Sequence, residues 1–157
     1  MKIYIGVDPG ASGGLAALCD SVVEFVAMPA TEFDIWEWFD TVRDRRDDSV
    51  FACIEKVGGF IQGSPQPGSA MFKFGASYGG LRMALVAAGI PFEEVTPQTW
   101  QKALGIPKRA ATESKTQFKN RLKARAQQLF PDHKITLATC DALLLAEYCR
   151  RKRTGTL

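Results

Sequence analysis

The chain is poor in the residues that build soft metal sites and disulfide frames. It has one histidine, His133, and four scattered cysteines, Cys19, Cys53, Cys140 and Cys149, with no C-x-x-C pair among them. That pattern argues against a zinc site or a disulfide scaffold, and the cysteines, set in apolar runs, read as buried thiols. No window approaches the roughly 20 continuous apolar residues of a membrane span. The N-terminus lacks the apolar core and cleavage pattern of a signal peptide. The expectation is a soluble, intracellular protein with no membrane partner. No internal repeat or low-complexity segment appears, and 157 residues that are 46% hydrophobic and 24% charged suit one compact domain over 1–157.

Charge is unevenly spread. The net value is only +3, but from Gln101 to Arg125 eight lysines and arginines face a single acid, Glu113. A basic tail over 150–157 adds Arg150, Arg151, Lys152 and Arg153, while Glu32 to Asp48 carries the acidic balance. Segregation of this kind suggests a polyanion-binding face and a separate acidic one.

Periodicity predicts an alternating α/β chain. Strands are expected over Ile3–Val7, Gly14–Leu18 and Val22–Val26, the last two joined at the Cys-Asp-Ser turn. A helix over Asp34–Arg46 precedes a strand over Val50–Ile54. Residues 57–69, rich in Gly and Pro, should form a flexible loop. A glycine-bearing helix over Ala70–Ala88 closes at Gly89, a short strand runs Pro91–Val95, and Gln98–Leu104 is expected as a helical turn. Two helices, Thr112–Phe130 and Leu137–Arg150, complete the order β-β-β-α-β-α-β-α-α.

Three acids stand out against this frame. Asp8 ends an apolar strand and is followed at once by Pro9, Gly10, Gly13 and Gly14. Taken alone, it reads equally as a cap of its own tight turn or as a ligand. Glu55 repeats the design after the strand Phe-Ala-Cys-Ile. Parallel neighbouring strands would bring both acids to one sheet rim, where ligands of open α/β sheets bind. Asp141 lies among apolar neighbours near the start of the last helix. Three oxygen donors on separate elements point to Mg²⁺ or Mn²⁺ rather than to three coincidental caps.

The segments IGVDPGASGGLA, CIEKV, FGASYGGLRMALVAAGIPFEEVTPQTWQKALG with the following KRAATESK, and the closing CDALLLAEY together resemble the RuvC-like Holliday junction resolvases of the compact phage and organellar type. The likeness runs from Ile3 to Tyr148. It implies an RNase H-like mixed five-stranded sheet flanked by helices and a homodimer that cuts four-way DNA with two metal ions per active site. The host compartment implied is a bacterial or phage-infected cytoplasm, or an organelle. By motif, Asp8, Glu55 and Asp141 match metal-binding acids of the family, with Asp8 as the bridging ligand, and Lys115 matches a basic residue acting at the scissile phosphate. One position departs: three residues before the last acid, where the family offers a further ligand, stands Ala138. Asp132 and His133 lie just upstream, with capping of the final helix as their expected role.

The basic residues supply a candidate DNA surface. Lys115, Lys119 and Lys123 repeat every four residues as one helical stripe, and Lys102, Lys108 and Arg109 precede them. Lys56 and Lys73 are further phosphate contacts, and Phe60, beside two glycines, is a candidate wedge at the branch point. The helix over residues 70–88 has more apolar content than one sheet face needs, so it is the expected dimer contact. The sequence leaves two alternatives to a junction resolvase: a junction-binding protein whose metal site has degenerated, and a general nuclease of branched or flap DNA.

Overall fold

A computed structural model of the chain describes residues 2–44, 49–58 and 68–157. Five strands, β1 (Lys2–Asp8), β2 (Gly14–Cys19), β3 (Val22–Ala27), β4 (Ser49–Glu55) and β5 (Phe92–Val95), form one sheet in the order β3-β2-β1-β4-β5. The first three run antiparallel as hairpins, and β4 and β5 join β1 in parallel. The helices are α1 (Glu32–Asp44), α2 (Gly68–Ala87), α3 (Pro97–Ala103), α4 (Lys115–Leu129) and α5 (Cys140–Thr154).

The expected mixed sheet and its strand sequence are therefore present, with one helix more than expected. Pro97–Ala103 is a helix in its own right rather than a turn, because Thr96 caps it by accepting from Thr99 N at 3.3 Å and Pro97 takes its first position. The element order becomes β-β-β-α-β-α-β-α-α-α. Other boundaries move as well: α4 starts at Lys115 rather than Thr112, and α1 at Glu32 rather than Asp34. The Gly/Pro-rich stretch ends sooner, since α2 begins at Gly68, and residues 59–67 lie outside the described residues. The last helix starts at Cys140, leaving Leu137–Thr139 as a turn, and it runs on to Thr154.

Strand alternation divides the core into two layers. Ile3, Ile5 and Val7 of β1 pack with Ala52 and Ile54 of β4 under α1 and α2. Tyr4 and Cys53 face the opposite way, against Trp100, Leu122 and the residues of α5. Helix α5 is buried over its first ten residues, from Cys140 to Cys149, and lies directly on β1 and β2. Gly6 makes that approach possible: a Cβ there would stand 2.0 Å from the Ala142 carbonyl oxygen and 2.4 Å from Ala146 N. The basic end of α5 is used for packing. Arg150 and Arg151 both donate to the buried Glu147 at 2.7 Å, Lys152 reaches Glu93 at 2.9 Å, and Arg153 lies over the Phe51 ring.

Candidate active site

Asp8 is the last residue of β1 and Glu55 the last of β4. The two strands are parallel with Val7 beside Ile54, so the acids occupy the next position along each. Alternation then turns both toward α5, on the side of Gly6 and Cys53 rather than of Val7 and Ile54. Asp141 sits in the first turn of α5, which the flat surface at Gly6 holds close to β1. Gly14 works at the same corner, since a Cβ there would meet the Ala138 carbonyl oxygen at 2.8 Å.

Burial, and after it neighbouring negative charge, acts on the two strand-end carboxylates. Asp8 is pushed up to about 8, first by burial and then by the charges of Asp141 and Glu55, with Lys119 opposing. Glu55 is pushed up to about 7, again chiefly by burial and also by Asp141, while a hydrogen bond from Trp100 and the charge of Lys119 pull it down. Trp100 Nε1 donates to Glu55 Oε2 at 2.9 Å, and its indole is fully buried.

One cation is already among the acids. Lys119, on α4, donates from Nζ to Asp141 Oδ2 and lies 4.0 Å from Asp8 Oδ2. Burial alone would lower the lysine's pKa, but the charges of Asp141 and Asp8 outweigh it and the net direction is upward. Asp141 Oδ1 accepts from Cys140 Sγ at 3.2 Å, and burial beside that carboxylate pushes the thiol up to about 12.

The donor set fits a hard divalent cation. Buried carboxylates with raised pKa values are those that lose most by standing together unneutralised and gain most from a metal ion. As the side chains stand, no three acidic, His or Cys groups among the described residues surround a common point. The ammonium of Lys119 lies between Asp141 and Asp8.

The other expected residues lie as follows. Lys115, expected to act at the scissile phosphate, is exposed at the first position of α4, one turn before Lys119. Lys119 was expected only as part of a DNA-facing stripe. Lys56, Lys73, Lys102, Lys108 and Arg109 are exposed, and Lys123 is partly so. Lys73 lines a groove of about 780 Å³ with Gly10, Met28 and Phe74. The Lys108–Arg109 segment is fixed by Arg121, which donates to Pro107 O at 2.9 Å and to both oxygens of Glu113 at 3.0 Å. Phe60 lies outside the described residues. Asp132 and His133 do not cap α5: its N-cap is Thr139, whose hydroxyl accepts from Thr136 N. His133 instead meets the Phe25 ring edge-on at 5.8 Å. Ala138 sits in the turn before α5.

Trp100 and Lys119 are the site residues that sequence reasoning missed in their roles. The Lys119 signal was present in the four-residue lysine spacing, but Trp100 carried none beyond being a large residue in a short helix.

No family model matches the chain, and no curated protein matches it. Among solved structures, the chain is similar to Thermus thermophilus RuvC in complex with a Holliday junction substrate, at 18% identity and TM-score 0.63, covering 99% of this chain and 98% of that one. It is also similar to a second Thermus thermophilus RuvC structure, at 19% identity and TM-score 0.64, covering 98% and 97%. The fold is that of RuvC over nearly the whole chain.

Proposed function

We propose that this protein is a structure-selective DNA endonuclease that resolves four-way junctions by metal-assisted hydrolysis of a phosphodiester. The observation that carries the reading is the convergence of Asp8, Glu55 and Asp141, from two parallel strands and a helix, at one rim of a RuvC-fold sheet. Support also comes from the fold neighbour, RuvC, whose complex contains a Holliday junction substrate.

Asp8, Glu55 and Asp141 would hold Mg²⁺ or Mn²⁺, which would supply Lewis acidity toward water and the leaving oxygen. The residues themselves do the rest. Trp100 holds Glu55 in one orientation, Cys140 holds Asp141, and the ammonium of Lys119 offsets charge that builds on the phosphate. Lys102, Lys108, Arg109, Lys115 and Lys123 contact the DNA backbone from the basic edge, and the products are a 5′ phosphate and a 3′ hydroxyl. Symmetric cutting needs two such sites. Helix α2 supports a homodimer, since Phe72, Met83 and Val86 are exposed at 78%, 62% and 57% and a Cβ at Gly75 or Gly79 would meet no atom within 4 Å among the described residues beyond its own helix turn.

Incubating the protein with a synthetic four-way junction, a flap and a linear duplex in Mg²⁺ or Mn²⁺ tests this. Paired symmetric cuts in the junction alone are expected. Equal cutting of flaps would make it a general branched-DNA nuclease, and tight binding without cutting would make it a binding module.

A further inference from the structure

Arg121 lies inside the basic window from Gln101 to Arg125, yet each of its three guanidinium nitrogens donates to its own chain. Nε and Nη2 meet the two oxygens of Glu113 at 3.0 Å each, Nη1 donates to Pro107 O at 2.9 Å, and Nη2 also reaches Lys108 O at 3.3 Å. The Phe118 ring lies against the same group, 4.8 Å from centroid to guanidinium carbon. Glu113 is as fully engaged. Its Oε2 also accepts from Ala110 N at 3.3 Å, its backbone N–H donates to Ala110 O at 3.0 Å, and its carbonyl accepts from Arg109 Nη1 at 3.0 Å.

The segment held in this way, residues 107–112, is exposed throughout, and none of its side chains belongs to the core. Ion pairs at a surface contribute little to folding, so stability is a weak reason to lock a carboxylate and a guanidinium over this stretch. What the lock does fix is the place of Lys108 and Arg109. They stand between the buried Ile106 on one side and, on the other, the Ser114–Gln117 capping box of α4, with exposed Lys115 at the first position of that helix. Basic side chains bind more tightly when the backbone beneath them is ordered in advance rather than at the moment of binding. Resting on the nuclease reading above, we infer that Glu113 and Arg121 are positioning residues: they hold Lys108, Arg109 and Lys115 in the arrangement that meets phosphates of junction DNA, and do not touch the DNA themselves.

Glu113 carries the wrong sign for a DNA-binding surface. It is the single acid against eight lysines and arginines between Gln101 and Arg125. If net charge alone counted, removing it should tighten binding to a polyanion. If its carboxylate holds the basic side chains in place, removing it should weaken binding. Arg121→Lys separates charge from geometry in the same manner, because it keeps the charge and loses the planar fork that spans two carboxylate oxygens and two carbonyls.

Binding of a synthetic four-way junction in Ca²⁺ by the full-length wild type, Glu113→Ala and Arg121→Lys tests the inference. Affinity is read by fluorescence anisotropy, with melting temperature and trypsin cleavage after Lys108 and Arg109 followed in parallel. Both variants are expected to melt near the wild-type temperature, to be cut faster at those two bonds, and to bind the junction about three- to tenfold more weakly. In a background lacking both presented cations, Lys108→Ala with Arg109→Ala, the further change Glu113→Ala should lose most of its effect. Equal or tighter junction binding by folded Glu113→Ala would overturn the inference while leaving the nuclease reading intact. Wild-type affinity in folded Arg121→Lys, or a full loss from Glu113→Ala in the background without Lys108 and Arg109, would overturn it in the same way. A wild type that binds the junction but never cuts it in Mg²⁺ or Mn²⁺ would overturn the nuclease reading and leave the positioning role standing. A folded wild type that binds no junction would overturn both.

Discussion

The indole Nε1 of Trp100 donates to Glu55 Oε2 at 2.9 Å, tying a helix that follows β5 to the acid that ends β4. The bond is made to a group that burial pushes toward protonation, and it is one of the two influences that keep Glu55 from rising further. Trp100→Phe keeps most of the apolar volume and removes the donor. We expect it to destabilise the fold by ~1–3 kcal/mol, and to raise the pH at which activity appears. Denaturant unfolding and a pH–rate profile beside the wild type would check both effects. An unchanged profile would mean that the bond has no part in setting the ionisation of Glu55.

Raised carboxylates make the metal-free protein sensitive to alkali. Asp8 at about 8 and Glu55 at about 7 lie above their unfolded values, so between those limits the folded protein keeps protons that the unfolded chain has released. Their contribution to stability is therefore whole at acid pH, below the unfolded values. It is lost as pH rises through about 7 and then about 8, at up to ~1.4 kcal/mol per pH unit for each group. Unfolding midpoints measured in chelator should fall from about pH 6 to about pH 8.5, and Mg²⁺ should restore most at the alkaline end, where no proton has to be displaced. A midpoint that climbs over that range in chelator would contradict the electrostatics of the site.

Gly6 sets how near α5 comes to β1. A methyl there would stand 2.0 Å from a helix carbonyl, which neither backbone can absorb locally. Gly6→Ala should cost about 3 kcal/mol or more, and any folded fraction should bind Mn²⁺ weakly because Asp141 is carried away from Asp8. Native-like stability together with native Mn²⁺ affinity would show that the helix can shift without moving the site.

Much of this arrangement was legible in the sequence because it follows from period-two alternation. Once β1 and β4 are parallel neighbours, Asp8 and Glu55 must share a rim and a face. Asp141 was legible as an acid embedded in apolar α5. What escaped depends on how helices cross. Lys115 and Lys119 lie on nearly the same stripe of α4, and which one reaches the acids is decided by where α4 packs against α5, a relation no local pattern encodes. The basic run Arg150–Arg153 looked like a tail, yet three of its members are paired with Glu147 and Glu93, acids whose partnership spans up to 59 residues of chain.

An exposed apolar helix should have a partner. Phe72→Glu and Met83→Lys, each placing a charge on the outer surface of α2, should convert a dimer to a monomer in sedimentation velocity while leaving the melting temperature of the fold nearly unchanged. A wild type that sediments as a monomer at micromolar concentration would remove α2 as a self-association surface.

The most direct measurement is cleavage of a radiolabelled four-way junction in Mg²⁺ or Mn²⁺ by the wild type, Asp8→Asn, Glu55→Gln and Asp141→Asn, with junction binding followed separately in Ca²⁺. The account predicts paired cuts by the wild type, loss of at least a hundredfold in rate for each variant, and junction binding retained by all four. Cleavage by Asp8→Asn at the wild-type rate would contradict the claim that these three acids form the catalytic centre.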